Sequence, residues 1–170
     1  GIDGDFGRQT EDAIKAWQVQ QGYVPTGQVS AEDWTALTNR ESPSLFLRCI
    51  SLTAQFEGHG YTFAAGNWDN AYLTWGIVGF TLKGGNLGAV LNAIDRTVIE
   101  SIMGMDKANE LAAIINAPRA EQKAWAESIS VLPKKYRIRP DWVDAFKELG
   151  EHPDVRRAQH RIAQEVYWAQ

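Results

Sequence analysis

The passage from Gly58 to Phe80 constrains the fold more than any other part of the chain. It reads Gly58-His59-Gly60-Tyr61-Thr62-Phe63-Ala64-Ala65-Gly66-Asn67-Trp68-Asp69-Asn70-Ala71-Tyr72-Leu73-Thr74-Trp75-Gly76-Ile77-Val78-Gly79-Phe80. Glycine and aromatic residues at this density make a poor helix. The segments on either side carry apolar residues near helical spacing. A mainly α protein interrupted by one non-helical passage is therefore expected. Leu73 to Phe80 is short, apolar and partly β-branched, which suits a strand or a buried segment.

The first forty residues read as a unit of their own. A turn-rich loop, Gly1 to Gly7, precedes an apolar stripe of Ala13, Ile14, Trp17 and Val19 that Gly22 ends. Thr10 is the expected N-cap. Pro25-Thr26-Gly27 is a loop, and Ser30 with Asp33 forms a capping box for a second helix, whose Trp34 and Leu37 are expected to face inward. Glu41-Ser42-Pro43 is a short linker. The expected domains are 1–40, the linker 41–43, and 44–170.

Beyond the linker, Leu45 to Phe56 is a helix, with Ser42 or Ser44 as its cap. Leu87 to Met103 is expected as one helix, and Asp106 to Asn116 as another that Pro118 stops. Ala120 to Val131 follows, then a basic turn at Lys134-Lys135-Tyr136-Arg137. Pro140 and Pro153 each suit the first turn of a helix.

Bulk chemistry removes several function classes. The formal charge is −4 and the pI about 5.4, without the basic footprint of a nucleic-acid binder. No apolar run approaches the ~18 residues of a membrane span. The single Cys49 excludes an internal disulfide framework, and its apolar neighbours predict a buried thiol. His152 and His160 lack ligand-spaced partners, so neither a metal nor any other cofactor is expected. A monomer is expected.

Glu57 and Asp69 are the strongest catalytic candidates. Glycosidic cleavage needs one carboxylic acid to protonate the leaving oxygen and one carboxylate to activate water or attack. Glu57 ends an apolar run, where partial burial would keep it protonated. Asp69 sits among Asn67, Asn70 and Thr74, polar groups that favour its ionised form. Trp68, Tyr72 and Trp75 suit either a sugar-lining wall or the core. His59 suits either a substrate contact or an ordinary loop position.

Two resemblances sharpen this reading. Asp3-Gly4-Asp5-Phe6-Gly7, Thr10-Glu11, Ala16-Trp17-Gln18, Gly22-Tyr23, Thr26-Gly27, Val29 and Trp34-Thr35-Ala36-Leu37 resemble the small helical peptidoglycan-binding module of many cell-wall hydrolases. That resemblance implies a wall-binding role for Asp5, Phe6, Trp17 and Tyr23. The family has a further helix ahead of this loop, so the module is expected in partial form.

The second region resembles the lysozyme superfamily, and within it the family 46 chitosanases. Asp69, Thr74, Gly76-Ile77-Val78-Gly79-Phe80 and the segment Pro153 to Trp168 carry the likeness. It implies a lysozyme-like α domain with a small β part. It also implies that Glu57 is the general acid, Asp69 the general base, and Thr74 the holder of the attacking water. Such a pair inverts at the anomeric carbon with carboxylates ~6.5–9.5 Å apart.

Three departures matter. The Glu-to-Asp interval is closer to that of phage-type lysozymes. Ala71 replaces a family Arg. Asn86 stands where chitosanases hold the substrate ammonium with an acid, and an amide suits an acetamido group instead. With Tyr72, His59, Trp68 and Asn70, Asn86 is an expected substrate contact. The likeness to the chitosanases stops near Trp168, so a reduced second lobe or a truncated fragment is expected. The expected function is an endolysin-type muramidase acting on bacterial peptidoglycan, in the host cytoplasm before lysis or after secretion. A chitosanase and a non-catalytic wall-binding protein are the alternatives.

Overall fold

The computed structural model describes residues 6–58 and 60–168. The chain divides into two compact units, Gly1–Ser44 and Leu45–Gln170.

The first unit is built from α1 (Arg8–Gln20) and α2 (Ala31–Thr38). Helix α1 begins two residues before the expected Thr10 cap. Gly7 stands at the N-cap position without a side-chain bond. Helix α2 starts with the expected capping box, Ser30 accepting from the Asp33 N–H while Asp33 accepts from the Ser30 N–H. Between them, Gln18 is 2% exposed and ties the loop to both helices. Its Oε1 accepts from Gly27 N at 3.0 Å. Its Nε2 donates to Gln28 O at 2.9 Å and to Asp33 Oδ2 at 3.0 Å. Trp34 and Leu37, expected to face inward, are 36% and 43% exposed. A buried amide rather than a large apolar cluster therefore closes this unit.

The second unit opens with α3 (Leu45–Glu57). The glycine- and aromatic-rich passage then forms three two-residue strands, β1 (Ala64–Ala65), β2 (Thr74–Trp75) and β3 (Phe80–Thr81). They pair antiparallel in the order β1-β2-β3, with Ala65 opposite Thr74 and Trp75 opposite Phe80. Helices α4 (Asn86–Asn92), α5 (Arg96–Met103), α6 (Met105–Ile114) and α7 (Arg119–Ser128) follow. Next come a hairpin of β4 (Ser130–Val131) and β5 (Lys134–Ile138), then α8 (Pro140–Glu151) and α9 (Pro153–Tyr167).

Leu73, Trp75, Phe80, Leu87, Trp142, Phe146, Leu149 and Val155 form the centre of the core, each at 0–1% exposure. Burying a side chain of this size stabilises by roughly 1.5–3 kcal/mol before entropy is counted. Trp75 donates its indole N–H to Phe146 O at 3.1 Å, so its one polar atom is satisfied. Gln159 on α9 is 0% exposed and repeats the role of Gln18. It accepts from Ile77 N at 2.9 Å and donates to Tyr61 O at 3.0 Å. Gly76 has φ +87°, and a Cβ there would lie 2.6 Å from the Gln159 Oε1. No other residue type fits that turn without displacing the amide.

Four expectations are corrected. The single helix over 87–103 is broken, because the Asp95 carboxylate caps the Thr97 N–H and starts α5 afresh. The helix over 120–131 stops at Ser128 and passes into β4. The basic turn at 134–137 is the strand β5, whose pairing with β4 is irregular at Ser130 and Val131. Cys49 is exposed rather than buried. It lies on α3, whose buried residues are Phe46, Ile50 and Ala54.

Candidate functional site

Asp69 follows β1 in the loop to β2, and Thr74 opens β2. The two line one groove of about 350 Å³ together with Phe63, Ala65, Gly66, Trp68 and Tyr136. This volume sits at the low end of the range for small-ligand sites. Its floor is set by the mini-sheet. Its far wall comes from β5, because Gly66 donates to Tyr136 O at 2.8 Å and Asn67 to Lys135 O at 3.1 Å. A Cβ on Gly66 would lie 2.2 Å from Lys135 O, so the two backbones meet only because that residue is glycine. Trp68 is 75% exposed, with its ring edge-on to Tyr136 at 4.9 Å and 81°.

Within this groove Asp69 is exposed. Its Oδ1 accepts from Ala71 N at 3.3 Å, which orients the carboxylate and leaves Oδ2 without a protein partner among the described residues. The half-buried Thr74 hydroxyl also has no partner among those residues. A carboxylate and a hydroxyl on one groove have the chemistry to hold and activate a water molecule.

Glu57 is the last residue of α3 and lines a different groove, of about 330 Å³. Its neighbours there include Phe46, Cys49, Ile50, Thr53, Val78, Tyr167 and Trp168. The two grooves share no lining residue. The partial burial expected of Glu57 is not there. Glu57 is exposed, and Phe56 beside it is 84% exposed.

The remaining candidates scatter. Tyr72 is 7% exposed, has φ +71° and belongs to the core; Trp75 is core as well. Tyr72 is thus a packing residue rather than a cleft wall, with Lys83 Nζ 5.6 Å from its ring centre. Asn70 is exposed on the Asp69 loop with φ +67°. Asn86 opens α4, and its amide is used inside the fold. Oδ1 accepts from Thr81 N at 3.1 Å and Nδ2 donates to Tyr167 OH at 2.9 Å. Its expected service to an acetamido group would require breaking one of these bonds. His59 and Asp5 lie outside the described residues.

The passage after Glu57 is fastened to α9. Tyr61 OH and His160 Nε2 are 2.6 Å apart, and the rings meet edge-on at 5.3 Å. Burial, and then the charge of Arg156, push the His160 pKa down from 6.5. Burial pushes Tyr61 up. Among the described residues no cluster of His, Cys, Asp and Glu could hold a metal ion. None of the described helices is long and apolar enough to cross a membrane.

In the first unit, Trp17 is half-buried and Tyr23 is 47% exposed. Their rings meet edge-on at 5.9 Å and 76°. Phe6 is 60% exposed. Three aromatic side chains thus remain available at the surface of a unit closed by a buried amide. Residues 1–37 match the family of peptidoglycan binding domains. That match gives the chain a peptidoglycan-binding module and a polysaccharide cell-wall partner. No curated protein and no solved structure matches the chain.

Two groups escaped the sequence reading. Tyr136 forms a wall of the Asp69 groove, although it sits in what reads as a basic turn. Gln18 and Gln159 are the structural anchors, and nothing in their neighbours' spacing marks them as buried.

Proposed function

We propose that the protein is a peptidoglycan hydrolase of the muramidase type, cleaving β-1,4 glycosidic bonds of the bacterial wall by acid/base catalysis with inversion. The observation that carries this reading is the groove on which Asp69, Thr74 and the exposed Trp68 meet, in a chain whose first 37 residues match a peptidoglycan binding domain. Asp69 serves as the base, Thr74 steadies the water, and Glu57 donates the proton. Glu57 takes that role from its resemblance to the lysozyme superfamily and from its place where α3 enters the glycine-rich passage. The preference for peptidoglycan over chitosan rests on the module at 1–37, because Asn86 is engaged with Thr81 and Tyr167.

The test compares Glu57→Gln, Asp69→Asn and the wild type on peptidoglycan and chitosan zymograms. Both variants are expected to lose at least about 100-fold in activity, since each removes an acid/base group. Both should unfold with the wild type, because both side chains are exposed. Retained activity in either variant removes that residue from its role.

A second reading, wall binding without turnover, is favoured by one observation. Glu57 is exposed and lines a groove other than that of Asp69. Wild-type protein that binds peptidoglycan sacculi yet releases no fragments would establish it.

A further inference from the structure

Strand β5 and the residue that follows it carry four cations in six residues, Lys134, Lys135, Arg137 and Arg139. Two are already neutralised. Lys135 pairs with Glu127 at 2.9 Å and Arg139 with Asp141 at 3.1 Å. Lys134 and Arg137 are exposed and have no carboxylate partner among the described residues. Arg137 is also placed. Its guanidinium lies 5.9 Å from the centre of the Tyr136 ring, and Tyr136 meets Trp68 at 4.9 Å on the wall of the Asp69 groove. A cation held against a ring keeps its planar fork free for a second partner.

From this juxtaposition we infer that the groove takes a carboxylate-bearing amino-sugar strand, with Arg137 binding the carboxylate and Lys134 adding to the local field. The inference rests on the proposed hydrolase reading and names the substrate feature recognised at that same site. The glycan of the wall carries carboxylates on its lactyl ether groups where no peptide is attached, and in the peptide where one is. Chitosan is a polycation and would be repelled by the same two side chains. Sugar faces suit Trp68 and Tyr136, and an anion suits Arg137 in a bidentate hydrogen bond.

The test uses the full chain, isotope-labelled, titrated with three soluble probes. These are N-acetylglucosaminyl-N-acetylmuramic acid with its free lactyl carboxylate, the same disaccharide bearing a tetrapeptide, and that tetrapeptide form with its carboxyls amidated. Shifts at residues 63–69 and 134–138 report the groove, while shifts at 8–37 report the wall-binding module separately. Free-carboxylate probes should perturb the groove. Arg137→Gln should weaken that binding about three- to tenfold and leave the amidated probe unchanged. Raised salt should narrow the difference.

A response to the lactyl probe alone places the recognised carboxylate on the sugar, and a response to the tetrapeptide alone places it on the stem. Equal binding of free and amidated probes, or an unaffected Arg137→Gln variant, overturns the inference even if the enzyme cleaves peptidoglycan. Selective carboxylate binding without cleavage leaves this inference standing and removes the hydrolase reading.

Discussion

Gln18 and Gln159 perform one task in two separate units. Each is at most 2% exposed, and each side-chain amide accepts from a loop N–H and donates to a backbone carbonyl. A buried backbone group left without its partner costs about 1–3 kcal/mol. Gln159→Ala strands both Ile77 N–H and Tyr61 C=O. It is expected to destabilise the second unit by on the order of 3 kcal/mol, read from the urea midpoint. An unchanged midpoint would show that other contacts hold the Gly76 turn. These anchors were not legible in the sequence. A Gln between Trp17 and Val19, or between Ala158 and His160, has the composition of a solvated helix face. Only the arrival of a loop at its amide makes it interior. Glu57 fails in the opposite direction, since an apolar run before it suggests burial and the fold leaves the end of α3 exposed.

His160 belongs to the same scale. Its folded pKa is below the ordinary 6.5, because burial disfavours the imidazolium beside Arg156. Below pH 6.5 the unfolded chain takes up this proton first, so stability falls as pH drops from 6.5 toward the folded value and then levels. Thermal melts between pH 7.5 and 5 should show this loss. The His160→Gln variant should flatten it. A wild-type profile with no loss in this window would contradict the lowered pKa of the half-buried imidazole.

Among the elements, caps decided how much could be read in advance. Ser30 and Asp33 stand three apart before an apolar run, and the box forms as the spacing predicts. Asp95 carries the same chemistry inside an otherwise continuous apolar pattern, which hides the break between α4 and α5. The three short strands were legible as a segment unfit for helix, with Leu73 to Phe80 suited to a strand or a buried segment, but not one by one, because two-residue strands are too brief to show alternation. The hairpin was hidden by its charges.

The box also has a pH signature. Asp33 has its pKa lowered from 3.8, first by the hydrogen bond from the Ser30 N–H and then by those from Gln18 and the Ser30 hydroxyl, against an opposing push from burial. That contribution is present above pH 3.8 and is lost as pH falls through the folded value. Amide resonances of α2 should therefore collapse on acidification below about pH 4, and Asp33→Asn should remove the dependence. Resonances unmoved down to pH 2 would show that the box does not hold α2.

At the scale of the whole molecule, the chain joins a peptidoglycan-binding module to a helical unit that carries a groove with an oriented carboxylate. The module was readable because its signature is a dense order of small motifs over about forty residues. The groove was half readable. Asp69, Thr74 and Trp68 lie close in sequence, whereas Tyr136 reaches them only through the pairing of a distant hairpin with the loop after β1. The most direct test of the account is mass spectrometry of the soluble products from purified peptidoglycan. The account predicts glycan fragments ending in reducing N-acetylmuramic acid, released by the wild type and absent with Glu57→Gln. Fragments ending in reducing N-acetylglucosamine, release from chitosan alone, or no soluble fragments at all would contradict it.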